Sequence, residues 1–378
     1  MAFPGATGID RRTFLKVSAI SGVGFAIACL PYKGGASQPD NLPFGDFVRV
    51  ARDNTVTVVI KHLDKGQGIT TGLTAIVAEE LDADWQQMRW EFAPTDVERY
   101  NNLFWGPVQG TGGSTSLANS WTQLRRAGAA ARSMLVSAAA RNWQVPAAEI
   151  TVDKGMLAHP SGRKASFGDM AELAAVETPP AEPTLKTPDQ FSLIGSDIPR
   201  IDSAEKSSGR AMYTADVRRP GMLYAVMVHP PRFGARLQSM DASATRKLPG
   251  VKEVVETARG VGIVADSFWV ADQARQSLKL EWDDSNAETR SSSELWSYFR
   301  SLADTQGRAV SNTGDIAAAE DAANRSIELE FEFPDLAPAT MEPLNCVVEL
   351  AADSCHIWTA AQAPSLDVQL VAQVTGIA

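Results

Sequence analysis

Cysteine and histidine are scarce in this chain. There are 3 cysteines and 4 histidines among 378 residues, whereas an iron–sulfur cluster normally takes four thiolates and a disulfide scaffold needs several pairs. The histidines have no ligand-like spacing among themselves. The sequence therefore predicts neither a bound cluster nor a metal site built from protein side chains.

Basic residues and long apolar runs are also in short supply. Lys and Arg number 35 against 45 Asp and Glu, which gives a net charge of −10 and an isoelectric point near 5.0. A surface of that sign does not neutralise a phosphate backbone, so a nucleic-acid partner is excluded. The longest apolar run, Val17 to Leu30, falls short of the ~20 residues that a membrane-spanning helix needs, so no stable transmembrane anchor is predicted.

That apolar run belongs to an export signal. It follows the pair Arg11-Arg12 and the residues Thr13-Phe14-Leu15-Lys16, a pattern typical of a twin-arginine signal peptide over residues 1–36. The signal predicts a periplasmic protein exported in the folded state. An apolar terminal helix with chance arginines and lipid attachment at Cys29 remain as alternatives.

The remaining composition is that of a globular protein. Hydrophobic residues make up 44% and charged residues 21%, enough apolar surface for packed cores, and the length predicts two or three domains. Four prolines between Thr178 and Pro188 predict a linker over residues 178–194. Before it, residues 45–177 alternate strands and helices. After it, short strand patterns predict an α+β region, with a helix over Asp241 to Lys247 and strands over Ser326 to Phe333, Cys346 to Leu350 and His356 to Thr359.

Two loops of small residues stand out before the linker. The first, here called the glycine turn, is Gly66-Gln67-Gly68, between a predicted hairpin strand and a helix over Thr71 to Leu81. The second, here called the hydroxyl loop, is Thr111-Gly112-Gly113-Ser114-Thr115-Ser116, which opens an Ala-rich helix over Leu117 to Asn142. Each loop therefore leads directly into a helix.

Such loops suit an anionic ligand. Glycines let backbone N–H groups approach a ligand closely, the start of a helix adds partial positive charge, and hydroxyls bind oxygens without adding charge. Gln67 is expected to point a neutral donor and acceptor at the ligand. Taken singly, each loop is equally well explained as a tight turn or a helix cap. Taken together, the two predict one extended anionic ligand.

The same residues resemble a known family. Lys65 to Thr71, Ile76 to Leu81 and the hydroxyl loop are similar to the molybdopterin-binding segment of the xanthine dehydrogenase and aldehyde oxidase family, in the isoquinoline 1-oxidoreductase large-subunit type. By this resemblance the fold is α+β, with a molybdopterin-binding segment over residues 45–177, an a/b hammerhead domain over residues 195–285 and the start of a second molybdopterin-binding domain over residues 286–378. Arg200-Ile201-Asp202 and Gly209 to Asp216 carry the hammerhead resemblance.

The resemblance implies a cofactor and a reaction. The cofactor is molybdopterin, in its cytosine dinucleotide form, with molybdenum held by the cofactor itself. The substrate is an aldehyde or an N-heterocycle, hydroxylated with oxygen from water, and the electrons pass to a small [2Fe–2S] partner subunit. The residues that the resemblance assigns to cofactor binding are Gly66, Gln67, Gly68, Thr111, Gly112, Gly113, Ser114, Thr115 and Ser116.

The catalytic base of the family is not found in this sequence. Its Gly-x-Gly-Glu motif and its Gly-Gly-x-Phe-Gly loop are both missing, and Glu342 is interpreted as structural, so no catalytic residue is assigned and these residues alone are expected to be inactive. The last residues fall inside a predicted helix over Asp367 to Val374, as in a truncated chain. A non-catalytic remnant or a cofactor-binding assembly module is the alternative. A periplasmic solute-binding protein is disfavoured because the two halves are unlike.

Overall fold

The computed structural model describes residues 42–377. The predicted signal peptide over residues 1–36, including Cys29, lies outside the described residues. The chain divides into two compact units. The first consists of residues 42–218 and 344–377, and the second of residues 219–343. The division falls inside the range predicted as a hammerhead domain, and that assignment stays a prediction.

A four-stranded sheet begins the first unit. Its strands, in spatial order, are β1 (Leu42–Pro43), β2 (Val48–Val50), β3 (Val56–Ile60) and β4 (Met88–Phe92). The first two pairings are antiparallel, which confirms the predicted hairpin, and β3 pairs with β4 in parallel. Parallel neighbours need a crossover, and the helix α1 (Ile69–Leu81) lies in the connection between them.

The core of this unit lies where the sheet meets two helices. Every residue of β3 is buried, and α1 contributes Leu73, Ile76, Val77 and Leu81, the face that the sequence predicts. After the short helix α2 (Val97–Tyr100), the long helix α3 (Ser116–Trp143) adds Leu124, Leu135 and Ala138. The burial of these side chains removes apolar surface from water and holds both helices against the sheet.

Smaller elements complete this part of the unit. Three short antiparallel strands follow α3, and two helices come after them. These elements are β5 (Thr151–Asp153), β6 (Met156–Ala158), β7 (Lys164–Ser166), α4 (Phe167–Ala175) and α5 (Ser203–Lys206).

Residues 178–194, predicted as a linker, lie against α1. Glu79 of α1 is 1% exposed, and its carboxylate accepts hydrogen bonds from the backbone N–H groups of residues 192–194 at 2.7–3.0 Å and from Lys186 Nζ at 2.6 Å. Burial raises the pKa of Glu79, but these donors outweigh it and hold the pKa below its ordinary value. The stretch is therefore anchored on α1.

The elements of the second unit are β8 (Tyr224–Val228), β9 (Arg236–Asp241), β10 (Val251–Thr257), β11 (Gly260–Ala265), α6 (Phe268–Ala274), β12 (Lys279–Asp283), α7 (Ser292–Ala303) and α8 (Ile316–Asp321). Its strands form two antiparallel sheets, in the orders β10-β11-β8 and β12-β9. The helix predicted over Asp241 to Lys247 is wrong. Asp241 ends β9, which pairs with β12, and only a 3₁₀ turn forms at Thr245–Lys247.

The strand predicted over Ser326 to Phe333 is also wrong. The alternating apolar side chains at 327, 329, 331 and 333 are 69–75% exposed, and no described residue pairs with this backbone. Alternation favours the pleated conformation, but a strand also needs a neighbour for its N–H and C=O groups.

The last elements return to the first unit. The hairpin of β13 (Cys346–Leu350) and β14 (Cys355–Thr359) and the helix α9 (Pro364–Thr375) confirm the elements predicted there. Cys346 and Cys355 are free thiols. Within residues 42–377, no helix combines the length and the apolar character needed to cross a bilayer.

Candidate functional site

The glycine turn lies between the end of β3 and the start of α1. Gly66 has φ 97° and Gly68 has φ 82°, in the left-handed region that side chains rarely adopt. Gly68 is the N-cap residue of α1, and no side chain caps the helix. A Cβ at Gly66 would meet nothing within 4 Å, so this backbone faces open space.

The side chains of the turn bond within it. Asp64 accepts hydrogen bonds from the Gly66 N–H at 2.6 Å and from Thr70 Oγ1 at 3.1 Å. Gln67 accepts from the Lys65 N–H at 2.5 Å and donates through Nε2 to the Leu63 carbonyl at 2.9 Å. The amide of Gln67 thus closes its own loop, which differs from the expectation that it faces a ligand. A turn this tight leaves backbone groups without partners, and Gln67 satisfies two of them.

The hydroxyl loop has two kinds of residue. Gly113 and Ser114 are exposed and take φ 60° and 56°, so this stretch of backbone lies open at the surface. Thr115 is the N-cap residue of α3 and bonds within the loop, donating to the Gly112 carbonyl at 2.8 Å and accepting from Asn102 Nδ2 at 2.9 Å. Its hydroxyl therefore holds the loop in shape, and Ser114 offers an outward hydroxyl.

The structure brings the two loops together at their bases. The Leu63 N–H donates to Thr111 Oγ1 at 2.8 Å, and Thr111 is 4% exposed. His62, which is fully buried, lies 3.1 Å through Nδ1 from the Gly110 carbonyl and 3.1 Å through Nε2 from Asn119 Nδ2. A carbonyl can only accept, so Nδ1 carries the proton and Nε2 accepts. The loops share one buried hydrogen-bond network.

His62 is a site residue that the spacing of histidines did not reveal. Burial, with a smaller contribution from the charge of Lys61, lowers its pKa to about 4. The ring is therefore neutral near pH 7, as the donor and acceptor contacts on its two nitrogens require. The available signal was its position two residues after a fully buried strand.

The helices that follow the two loops begin at the same end. A Cβ at Gly72 of α1 would lie 3.2 Å from Leu117 of α3, and a Cβ at Gly128 would lie 2.7 Å from the Val77 carbonyl. The first turns of the two helices therefore pack against each other, and so do later turns. The helices run parallel. Neither has an acidic residue in its first turn or a side-chain cap. Their positive dipole ends add together beside the two loops.

A charged cluster from the range predicted as a hammerhead lies beside the glycine turn. Arg200 donates to the Gly66 carbonyl at 3.3 Å and binds Asp202 through Nε and Nη2 at 3.0 and 2.9 Å. Lys206 bonds Asp202 at 2.5 Å and lies 3.5 Å from Asp64. Burial raises the pKa of Asp202, but both cations outweigh it and lower the pKa to about 2. Two cations thus balance the two carboxylates beside the turn.

The C-terminal segment holds the hydroxyl loop from its other side. The Thr111 N–H donates to the Gln362 carbonyl at 2.7 Å, and Gln362 Nε2 donates to the Thr111 carbonyl at 3.2 Å. Ser365 Oγ accepts from the Gln109 N–H at 3.0 Å and donates to the Gln109 carbonyl at 3.3 Å. The loop is therefore fixed by residues from both ends of the described chain.

The donor set suits a phosphate or a pterin. Two uncapped helix starts, exposed glycine backbone and the hydroxyl of Ser114 supply neutral donors, which bind anionic or carbonyl oxygens. Within residues 42–377, no group of three or more His, Cys, Asp or Glu side chains is placed to hold a metal ion.

Family models match most of the chain. Two models, each described as a molybdopterin cofactor-binding domain, match residues 10–218 and residues 302–378.

Individual relatives resemble the chain over most of its length. The beta subunit of isoquinoline 1-oxidoreductase from Brevundimonas diminuta is 30% identical, over 99% of this chain and 54% of the relative. A nicotinate dehydrogenase subunit from Pseudomonas putida is 29% identical, over 85% of this chain and 27% of the relative. The membrane-bound aldehyde dehydrogenase [pyrroloquinoline-quinone] of Gluconacetobacter polyoxogenes is 28% identical, over 90% and 46%. The chain spans about half or less of the length of these relatives.

Proposed function

This chain belongs to the molybdopterin cofactor-binding family, in the xanthine dehydrogenase and aldehyde oxidase group and of the isoquinoline-oxidoreductase large-subunit type, and on that premise we propose that its two loops hold a molybdopterin cofactor. The observation that carries the proposal is the joining of the glycine turn and the hydroxyl loop at the starts of two parallel, uncapped helices. An extended ligand with an anionic tail fits two such cradles side by side.

The residues of the two loops have different roles in the proposed binding of the cofactor. The backbone of Gly68, Gly112 and Gly113 approaches the ligand, and Gly66 shapes the glycine turn, since its N–H bonds Asp64. Ser114 and Ser116 add hydroxyl donors at the start of α3. Thr111 and Thr115 keep the loop in shape through their buried bonds, and Gln67 does the same for the glycine turn. By resemblance to the family, the proposed form of the cofactor is the cytosine dinucleotide, whose pyrophosphate adds a second phosphate to be held.

The reaction proposed for the complete enzyme is hydroxylation of an aldehyde or an N-heterocycle. When bound, the cofactor supplies a molybdenum centre that accepts two electrons while oxygen from water is added to carbon. The names of the relatives, an isoquinoline oxidoreductase, a nicotinate dehydrogenase and an aldehyde dehydrogenase, support these substrate classes. The catalytic base is proposed to lie outside these 378 residues, because no Gly-x-Gly-Glu motif occurs in them.

The electron-accepting partner subunit and the cellular location complete the proposal. The electrons leave through a small [2Fe–2S] subunit, since the 3 cysteines here are too few to bind such clusters. The paired arginines at positions 11 and 12 direct the folded, loaded protein to the periplasm through the twin-arginine route. A chain that serves only as a remnant or an assembly module is the rival function.

Cofactor content tests the proposed site. In the full chain purified with its partner, Ser114→Ala and Gln67→Ala should each lower the molybdenum and pterin retained per chain, with little change in unfolding midpoint. Ser301→Ala and Gln369→Ala, at exposed positions on α7 and α9, are the matched controls and should retain both. Occupancy equal to that of the unmodified chain in both loop variants would contradict the site. A quinone in place of pterin would favour the cofactor named for the third relative.

A further inference from the structure

Lys61 is a buried cation without a carboxylate partner among the described residues. It follows β3 directly and is 3% exposed. Its Nζ donates to the Asn101 carbonyl at 3.1 Å and to Gln123 Oε1 at 2.6 Å. Both acceptors are neutral, so the positive charge is hydrogen-bonded but not balanced.

Other cations of the same unit that lie partly below the surface are balanced. Lys186 Nζ lies 2.6 Å from carboxylate oxygens of both Glu79 and Asp82. Arg125 lies 2.6 Å from Glu80. The removal of a charge from water is costly unless a partner repays it, and burial alone lowers the pKa of Lys61 to about 8. Lys61 therefore carries a cost that these other cations avoid.

Lys61 and its hydrogen-bond partner Asn101 are chain neighbours of residues that contact the hydroxyl loop. The neighbouring residue His62 contacts Gly110 at the base of the hydroxyl loop. Asn101, which accepts from Lys61, precedes Asn102, and Asn102 donates to Thr115 Oγ1 at 2.9 Å. The backbone of Lys61 therefore adjoins His62, and its ammonium bonds the residue before Asn102, so both ends of this side chain adjoin residues of the network that joins the glycine turn to the hydroxyl loop.

The other charges near the loops do not provide the same field. Arg200 and Lys206 are balanced by Asp202 and Asp64, and His62 is neutral near pH 7. In a poorly hydrated interior, a charge acts over several ångströms with little screening. Lys65, directly before Gly66, is exposed, so water screens its charge. Among the described residues beside the loops, the ammonium of Lys61 is therefore the buried charge that remains available to an anion.

We propose that Lys61 supplies the buried countercharge for an anionic phosphate group held between the glycine turn and the hydroxyl loop. This rests on the proposed function in so far as the phosphate is that of the molybdopterin cofactor. The lysine acts from beneath the loops through its charge, and the loop backbone and Ser114 make the direct contacts.

A neutral substitution separates this role from a structural one. Lys61→Met in the full chain removes the charge and keeps the apolar stem, and Lys61→Gln removes the charge and keeps an N–H donor for Asn101 or Gln123. Without cofactor, Lys61→Met should unfold at an equal or higher denaturant concentration, because a charge with a desolvation cost has gone and the two acceptors it leaves, on the half-buried Asn101 and Gln123, can bond water instead. With cofactor, both variants should lose molybdenum and pterin about tenfold faster or more. Lys61→Arg should retain them better than either.

Lys164→Met is the matched control, since Lys164 is exposed on β7. This change should alter neither the unfolding midpoint nor the rate of cofactor loss. Cofactor loss at the unmodified rate in both neutral variants would overturn the inference. A lowered unfolding midpoint in both cofactor-free variants, or failure of both to fold, would also overturn it and assign Lys61 to the fold.

Inorganic pyrophosphate separates this inference from the proposed function. It should raise the unfolding midpoint of the unmodified cofactor-free chain and not that of Lys61→Met. That result would support the countercharge even if the purified chain held neither molybdenum nor pterin, which would contradict the proposed function alone. An equal rise in both chains would overturn the inference.

Discussion

The amide of Leu63 donates a 2.8 Å hydrogen bond to the hydroxyl of Thr111, 48 residues further along the chain. This bond joins the segment that leaves β3 to the loop that opens α3. The two loops at which a ligand is proposed to bind are therefore parts of one structure. Their mutual placement depends on this buried hydroxyl.

Thr111→Val tests the bond between the loops. Valine has nearly the same shape but no hydroxyl, so the Leu63 N–H, whose bond to the buried Thr111 is partly shielded from water, loses its acceptor. A buried donor without a partner costs about 1–3 kcal/mol of unfolding free energy. Chemical denaturation should show this loss, and Thr111→Ser, which keeps the hydroxyl, should recover most of it. A valine variant as stable as the unmodified chain would show that the bond does not hold the loops.

Acid should weaken the fold through His62. Its pKa is about 4 in the folded chain and about 6.5 when unfolded, so the unfolded chain binds the proton more tightly. Stability from this group is complete above pH 6.5 and falls as the pH is lowered towards 4, by about 3 kcal/mol in all. His62→Gln, which cannot titrate, should lose less stability over that window. Equal pH dependence in the two chains would contradict the assignment of a neutral buried ring.

The hydrogen bonds between the C-terminal segment and the hydroxyl loop give a further prediction. Ser365→Ala leaves the buried N–H of Gln109 without its 3.0 Å acceptor, so it should cost about 1–3 kcal/mol in unfolding free energy and loosen the hydroxyl loop. Hydrogen exchange at Gln109 and Thr111 measures the loosening directly. Ser365→Thr keeps the hydroxyl and is the control. Unchanged exchange in the alanine variant would show that the loop does not depend on α9.

The close packing of α1 and α3 predicts a reversal of the usual preference between glycine and alanine. Within a helix, alanine is normally favoured over glycine by about 1 kcal/mol, but a Cβ at Gly128 would lie 2.7 Å from the Val77 carbonyl and 3.0 Å from Glu80 Cβ. Gly128→Ala should therefore destabilise by about 1–3 kcal/mol. Thermal unfolding measures the sign, and Ala130→Gly is the matched change in the same helix. A more stable Gly128→Ala would mean that the helices lie further apart.

The sequence predicted those parts of the site that depend on local pattern. The glycine turn, the hydroxyl loop and both helices follow from residues near one another: glycines at left-handed positions and apolar residues at helical spacing. The a/b hammerhead resemblance of Arg200 gave no indication that this side chain lies beside Gly66, 134 residues earlier. Gln362 meets Thr111 across 251 residues, a contact that no local pattern encodes. The alternating apolar residues at 327–333, which are exposed, show the same limit. Alternation predicts an extended segment but not the strand with which it would pair.

The most direct measurement is the molybdenum and pterin content of the purified chain, by elemental analysis and by fluorescence of the released pterin. We predict one molybdenum and one pterin per chain when it is produced by a host that makes the cofactor, and a marked loss of both when Ser114 and Gln67 are replaced together by alanine. A chain that carries neither, or a double variant that keeps both in full, would contradict the account.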